Sequence, residues 1–220
     1  MDFDGDGHFD LLSGSNCCDP YGFHVFCGKG KSAWEARRSY RVDDKSKFSG
    51  GFRLQHRSFV SAADWDGDGV PDLLWNAGRG IGVARGPNRS DRPLDITGEI
   101  AFTPRPVTEE EYVRDFAIAD WDRDGTPDLL VRLKLDGSRG GIYWYRNLGE
   151  SGLKHLAPGE LVLSDERLGN GLPPERWDIY GFCVGDWDGD GWPDVLVTRQ
   201  DLIPAEKSNW QSSVWLYRRE

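Results

Sequence analysis

Apolar and polar positions alternate with a period of two at three places along the chain, and each place leads into the same kind of acidic loop. Val60 and Ala62, Phe116 and Ile118, and Phe182 and Val184 share one face. Ser61 and Ala63, Ala117 and Ala119, and Cys183 and Gly185 share the other. A two-residue period is that of a β-strand, whose side chains point alternately to opposite faces. The face of small residues implies close approach of other structure, and Cys183 on it reads as a small buried residue. Beyond each loop lie a second short apolar run, such as 72–75 or 194–198, and a third, at 23–26, 81–84, 142–145 and 214–217. A weaker fourth follows in places, for example 160–163. Units of roughly 60 residues with this content suit four-stranded sheets.

The loop occurs four times, its first aspartates 62, 56 and 66 residues apart. Carboxylates stand at positions 1, 3, 5 and 9: Asp2, Asp4, Asp6 and Asp10; Asp64, Asp66, Asp68 and Asp72; Asp120, Asp122, Asp124 and Asp128; Asp186, Asp188, Asp190 and Asp194. Four acidic side chains converging on one point repel one another strongly unless a cation lies between them. An all-oxygen set of flexible geometry suits calcium, up to four ions for the chain. The backbone carbonyls at position 7 (His8, Val70, Thr126 and Trp192) complete the expected ligand set. Glycine at position 6 permits the sharp turn that brings the ends together. An EF-hand is excluded, because it needs a glutamate at position 12 and flanking helices. Position 12 here is Ser13, Trp75, Val131 and Val197, and the flanks read as strands.

Repeated sheets with a polar loop at one fixed place point to an all-β fold, a β-propeller of four-stranded blades with a calcium loop in each repeat. The aromatic at loop position 2 (Phe3, Trp65, Trp121, Trp187) is expected to point away from the cation and seal neighbouring structure. No nine-residue period supports a calcium β-roll. The pattern D-[WF]-D-x-D-G-x-P-D-L-L, with a following strand such as Ile142-Tyr143-Trp144-Tyr145-Arg146-Asn147-Leu148-Gly149, resembles FG-GAP/VCBS repeat proteins. The resemblance implies calcium-binding propellers, as in the head of integrin α chains, which serve adhesion, glycan binding and, in some lyases, catalysis. It covers nearly all of residues 1–220, as about four blades of a larger propeller. Arg123 and the pair His8 and Phe9 depart from the pattern, and Met1 abuts the first loop where the other repeats have a leading strand. A propeller incomplete at its termini is the expectation.

Composition changes this picture little. The net charge is −10, but the four loops hold four aspartates each, so the acidity belongs to the cation sites. Nucleic-acid binding is disfavoured by the sign of the charge and the lack of a basic motif. Mean hydropathy is −0.61, and no apolar run approaches the length of a membrane span. Cys17 or Cys18 could bridge to Cys27 across the turn at 19–22 in an oxidising compartment. Gly28-Lys29-Gly30-Lys31-Ser32 ends like a P-loop but lacks its first glycine, so it marks a turn. His8, His24, His56 and His155 share no catalytic spacing. Trp34, Trp177, Trp192 and Trp210 could stack on sugars, although packing accounts for them as well. The basic stretch 29–57 reads as a solvated connector that could also meet an acidic glycan. Residues 167–178, rich in glycine and proline, read as a long irregular insertion. The function these features favour is extracellular, periplasmic or cell-surface binding or adhesion toward a glycan or protein ligand. The alternative is the propeller of a polysaccharide-degrading enzyme such as a lyase, for which no catalytic residue can be named.

Overall fold

The alternating runs form short antiparallel strands joined in sequence order, as hairpin-connected strands with local pairing do. The computed structural model describes residues 2–14, 22–30, 33–35, 38–41, 59–76, 80–86, 96–100, 102, 112–135, 140–149, 156–173, 176–202 and 210–219. Its first half carries β1 (Leu11–Gly14), β2 (Gly22–Phe26), β3 (Arg38–Arg41), β4 (Val60–Ala63), β5 (Asp72–Asn76), β6 (Ile81–Ala84) and β7 (Ile96–Ile100). The second half carries β8 (Tyr112–Ala119), β9 (Asp128–Lys134), β10 (Gly141–Tyr145), β11 (Glu160–Ser164), the short helix α1 (Asp165–Gly169), β12 (Trp177–Gly185), β13 (Asp194–Leu202) and β14 (Trp210–Tyr217). The strands pair as four sheets, β1-β2-β3, β4-β5-β6-β7, β8-β9-β10-β11 and β12-β13-β14. The second and third have the four strands expected of a propeller blade. The first and last have three among the described residues. Among those residues, no helix is long and apolar enough to cross a membrane.

The chain divides into two compact units, Met1–Ala101 with Gly149–His155, and Phe102–Leu148 with Leu156–Glu220. In the first unit, Phe23 and Val25 of the first sheet, with Cys27 just beyond β2, pack on Leu73, Trp75 and Ala84 of the second. Phe23 and Trp75 meet as tilted rings, 5.5 Å between centroids. Gly82 lies directly across from Trp75 in the β5–β6 register. A Cβ at Gly82 would stand 2.5 Å from the indole of that fully buried tryptophan. Only glycine leaves room for the ring against the neighbouring strand.

The second unit repeats the stacking. Trp121 of the third loop, Leu130, Ile142 and Leu163 of the third sheet and Leu168 of α1 pack on Trp177, Ile179, Phe182, Val195 and Val197 of the fourth. A β-bulge between Val113 and Asp115 breaks the β8 register and turns two charged side chains toward β12. Arg114 bonds the Asp178 carboxylate. Asp115, 3% exposed, accepts from its neighbour Phe116 N–H at 2.7 Å and from Phe182 N–H of β12 at 3.0 Å. Burial raises the Asp115 carboxyl to about 7, against the pull of both backbone donors and of Arg114.

Three expectations need correction. Residues 167–178 are not one irregular insertion: α1 occupies the start of that stretch, and Trp177 and Asp178 open β12. Ser164 caps α1 by accepting from Arg167 N–H at 3.2 Å, Asn170 ends it in the left-handed region, and Leu168 anchors it in the core. Cys183 is exposed rather than buried: its face of β12 is not covered as the Ala117 face of β8 is. Trp187 is 52% exposed, whereas Trp65 and Trp121 are buried as expected. Cys27 is a free, buried thiol, pushed up to about 11 by burial and by the Asp4 carboxylate. Cys17 and Cys18, His56, His155 and the side chain of Trp210 lie outside the described residues, as does most of the basic stretch 29–57.

Two outcomes follow from this packing. Gly82→Ala is expected to cost about 1–3 kcal/mol in urea denaturation, through overpacking against Trp75. For Asp115 the folded value lies above the ordinary 3.8, so its stabilising contribution is complete below that pH and lost as pH rises to about 7. Asp115→Asn stays neutral throughout. The stability of wild type relative to this variant should therefore fall between pH 4 and pH 8 by up to a few kcal/mol, at about 1.4 kcal/mol per pKa unit. A difference that stays flat with pH would mean the carboxyl titrates normally.

Candidate functional site

Each acidic loop is built the same way, and each carboxylate position has its own task. Position 9 is buried: Asp10 is 7% exposed, Asp72 1%, and Asp128 and Asp194 0%. One of its oxygens accepts from the backbone N–H at position 2, namely Phe3 (2.6 Å), Trp65 (3.0 Å), Trp121 (3.1 Å) and Trp187 (3.2 Å). Its other oxygen accepts from a backbone N–H just beyond the third strand: Gly28 (2.8 Å), Gly86 (2.9 Å), Asn147 (2.8 Å) and Arg219 (3.0 Å). The carboxylate thus latches the loop to a strand that follows it by many residues. Burial raises the Asp72 and Asp128 carboxyls despite these donors.

Positions 1 and 5 fold the loop on itself. Asp2 accepts from Gly5 and Gly7, Asp64 from Gly69, Asp120 from Gly125, and Asp186 from Gly189 and Gly191. Asp6, Asp68, Asp124 and Asp190 accept from the N–H groups of His8, Val70, Thr126 and Trp192. The turn needs positive φ at position 6, between 84° and 89°, and also at position 4. Glycine supplies both in three loops, while Arg123 holds φ 66° at position 4 of the third. Lysine and arginine lower two position-5 carboxyls: Asp6 through Lys29, and Asp124 through the Thr126 N–H and then Arg146.

The folded loops bring carboxylates together in threes, with ligand-capable atoms within 4.8 Å of one another. The groups are Asp2, Asp4 and Asp6; Asp64, Asp66 and Asp72; Asp120, Asp122 and Asp128; and Asp186, Asp188 and Asp194. Asp10, Asp68, Asp124 and Asp190 stand outside these threes. In the second loop Asp64 Oδ1 and Asp66 Oδ1 are buried with no hydrogen-bond partner. A buried carboxylate oxygen without a donor is costly, and a hard cation is the partner such an oxygen set fits.

A second repeated feature is basic. Arg85, Arg146 and Arg218 each follow the third strand directly and pair with position 3: Asp66 at 3.1 Å, Asp122 at 2.7 Å and Asp188 at 3.5 Å. In the first repeat Cys27 occupies that place, and Arg38 reaches Asp4 at 3.3 Å instead. The acidic pattern gives no hint of these partners; the available signal is an arginine at one fixed offset behind three third strands. Lys29 meets Asp6 at 2.5 Å and Arg38 meets Glu35 at 2.9 Å, so these two cations of the basic stretch are engaged within the chain. Of the loop tryptophans, Trp177 is buried and Trp34 is 48% exposed. The Trp192 ring has the Arg123 guanidinium at 4.8 Å and that of Arg219 at 4.7 Å.

The profile of the FG-GAP-like repeat matches residues 2–75 and 120–197, more than half of the chain. The chain belongs to the FG-GAP-like repeat family. FG-GAP repeats form propeller blades, and the four meander sheets are such blades. No curated protein matches the sequence. A solved structure of an Agrocybe aegerita lectin, described for specific recognition of non-reducing terminal N-acetylglucosamine, is similar at a TM-score of 0.51 and 19% identity. The likeness covers 99% of this chain and 56% of the lectin chain, so this chain spans little more than half of that length. At this identity the likeness concerns the fold alone.

The latch and the exposed carboxylates should separate by mutation. Asp128→Ala removes acceptors for Trp121 N–H, Asn147 N–H and the Trp144 indole at 2.9 Å. Each orphaned donor costs about 1–3 kcal/mol, so a loss of several kcal/mol is expected even in chelator. Asp190→Ala, at an exposed turn, should cost under about 1 kcal/mol under the same conditions. Equal losses in guanidinium denaturation would contradict the division of roles.

Proposed function

We propose that residues 1–220 are four FG-GAP repeats whose loops hold calcium and that the module binds a glycan or protein ligand outside the cytoplasm. The observation that carries the metal reading is the pair of orphaned, buried oxygens of Asp64 and Asp66 inside a cluster that recurs in every repeat. Positions 1 and 3, with position 9 in the last three loops and position 5 in the first, would supply the carboxylate oxygens. The remaining aspartates and the carbonyls of His8, Val70, Thr126 and Trp192 are the further ligands expected as a loop closes on an ion. Bound calcium would supply positive charge between carboxylates that otherwise repel one another. The arginines paired with position 3 already offset part of that repulsion, so the metal adds to a loop that is largely formed. Support for a sugar ligand comes from the fold shared with a lectin.

Extracellular modules bind calcium with dissociation constants of roughly 0.1–1 mM. At millimolar calcium each site then stabilises by about 0.4–1.4 kcal/mol, or roughly 2–6 kcal/mol for four independent sites. Titration calorimetry should count three or four sites, and thermal unfolding should shift upward by several degrees over the chelated protein. Asp188→Ala should remove one site and leave the rest, since each loop closes on its own residues. No heat and no thermal shift would end the calcium reading. Calcium binding without retention on any immobilised glycan would leave a protein ligand as the partner class.

A further inference from the structure

We propose that a groove beside α1 binds a single anionic pyranose, a uronate, through Arg167 and Arg219; this rests on the glycan-binding function proposed above. The groove encloses about 200 Å³. Pockets for drug-sized ligands run from about 300 to 1,000 Å³, so the space suits one sugar ring rather than a chain. Leu163 of β11 and Val195 of β13, both buried, give the groove an apolar floor, and Val162, Trp121 and Tyr217 line it too. Arg167, Arg218 and Arg219 complete the lining. Three guanidiniums at one small opening run against the trend of a chain whose net charge is −10.

The partners of these arginines set the chemistry. Arg218 faces Asp188 at 3.5 Å. Neither Arg167 nor Arg219 has a carboxylate partner among the described residues. Both are held by aromatic rings instead. The Arg219 guanidinium lies 4.7 Å from the Trp121 ring and 4.7 Å from that of Trp192, and it bonds the Trp121 carbonyl. The Arg167 guanidinium lies 5.9 Å from the Tyr217 ring. Ring contact engages the face of a guanidinium and leaves N–H groups at its edge, in a fork that matches a carboxylate. A charge positioned this way pays little entropy on meeting an anion, and arginine–carboxylate forks are among the stronger hydrogen bonds. The apolar floor suits the C–H face of a sugar ring. A carboxylate on a pyranose therefore satisfies both halves of the groove.

The test compares methyl β-glucuronide with methyl β-glucoside, which differ at the carboxylate alone, in titrations of the full chain in calcium-containing buffer followed by NMR. The glucuronide should bind at least ten-fold more tightly, shift the Trp121 indole resonance, and weaken as salt is raised. Arg167→Gln should weaken glucuronide binding ten-fold or more, and Arg167→Lys should recover only part of it. Arg167 is exposed on a short helix, and an unchanged melting temperature will show that the variants fold. Equal affinity for the two sugars overturns the proposal, as does glucuronide binding untouched by Arg167→Gln. Failure of glucuronide to bind while another glycan does overturns the groove and leaves the glycan-binding function standing. Calcium uptake with no sugar bound at all removes both.

Discussion

The ninth aspartate of each loop is the constraint on which the repeat depends. Its side chain is buried in all four repeats, and its two oxygens hold the start of the loop and the exit of the third strand at once. Hydrogen bonds to a charged group contribute about 1.5–3 kcal/mol each, enough to outweigh part of the cost of burying the carboxylate. The raised Asp72 and Asp128 carboxyls record what remains of that cost. Because this bond reaches from the first turn to the third strand, the loop cannot shift without disturbing the sheet. Its geometry is therefore as fixed as the strands that flank it.

With the ends latched, the other carboxylates must stay close to one another, and their charge has to be offset. An arginine placed directly after the third strand serves position 3 in three repeats, beside the backbone N–H that serves position 9. Both partners arrive from one strand exit, so a single register sets the hydrogen bond and the counter-charge together. The second loop keeps two carboxylate oxygens buried and without a donor, and there the balance is least complete. A polar group left in that condition usually marks a partner of the kind a hard cation provides.

The two sheets of the second unit show how charge is used away from the loops. The bulge in β8 sends Arg114 and Asp115 to β12, so one irregularity supplies both a salt bridge and a backbone tie between sheets. Arg199, buried beneath the Trp215 ring, bonds Asp201 and the Leu168 carbonyl, which fixes α1 against the sheet. Arginine suits each place because its planar fork can stack and donate at the same time.

The four loops, the strands before and after them and the family were legible in the residues alone. Asp64 to Asp72, like its three counterparts, spans nine positions, and the alternation of Phe116 to Ala119 needs only four. Signals of that length are carried by local geometry: the turn a glycine permits and the period of two along a strand. The capped helix at 165–169 is equally local, but its single turn is masked by the glycines and prolines that follow it. Tertiary structure alone decided which residues meet from afar. Asp115 takes its partner Phe182 from 67 positions away, and Arg219 reaches the Trp121 carbonyl across 98. It also decided that Cys183 and Trp187 stand exposed where their counterparts Ala117 and Trp121 lie in or against the core. Burial depends on whether another sheet covers a face, and no stretch of ten residues contains that information.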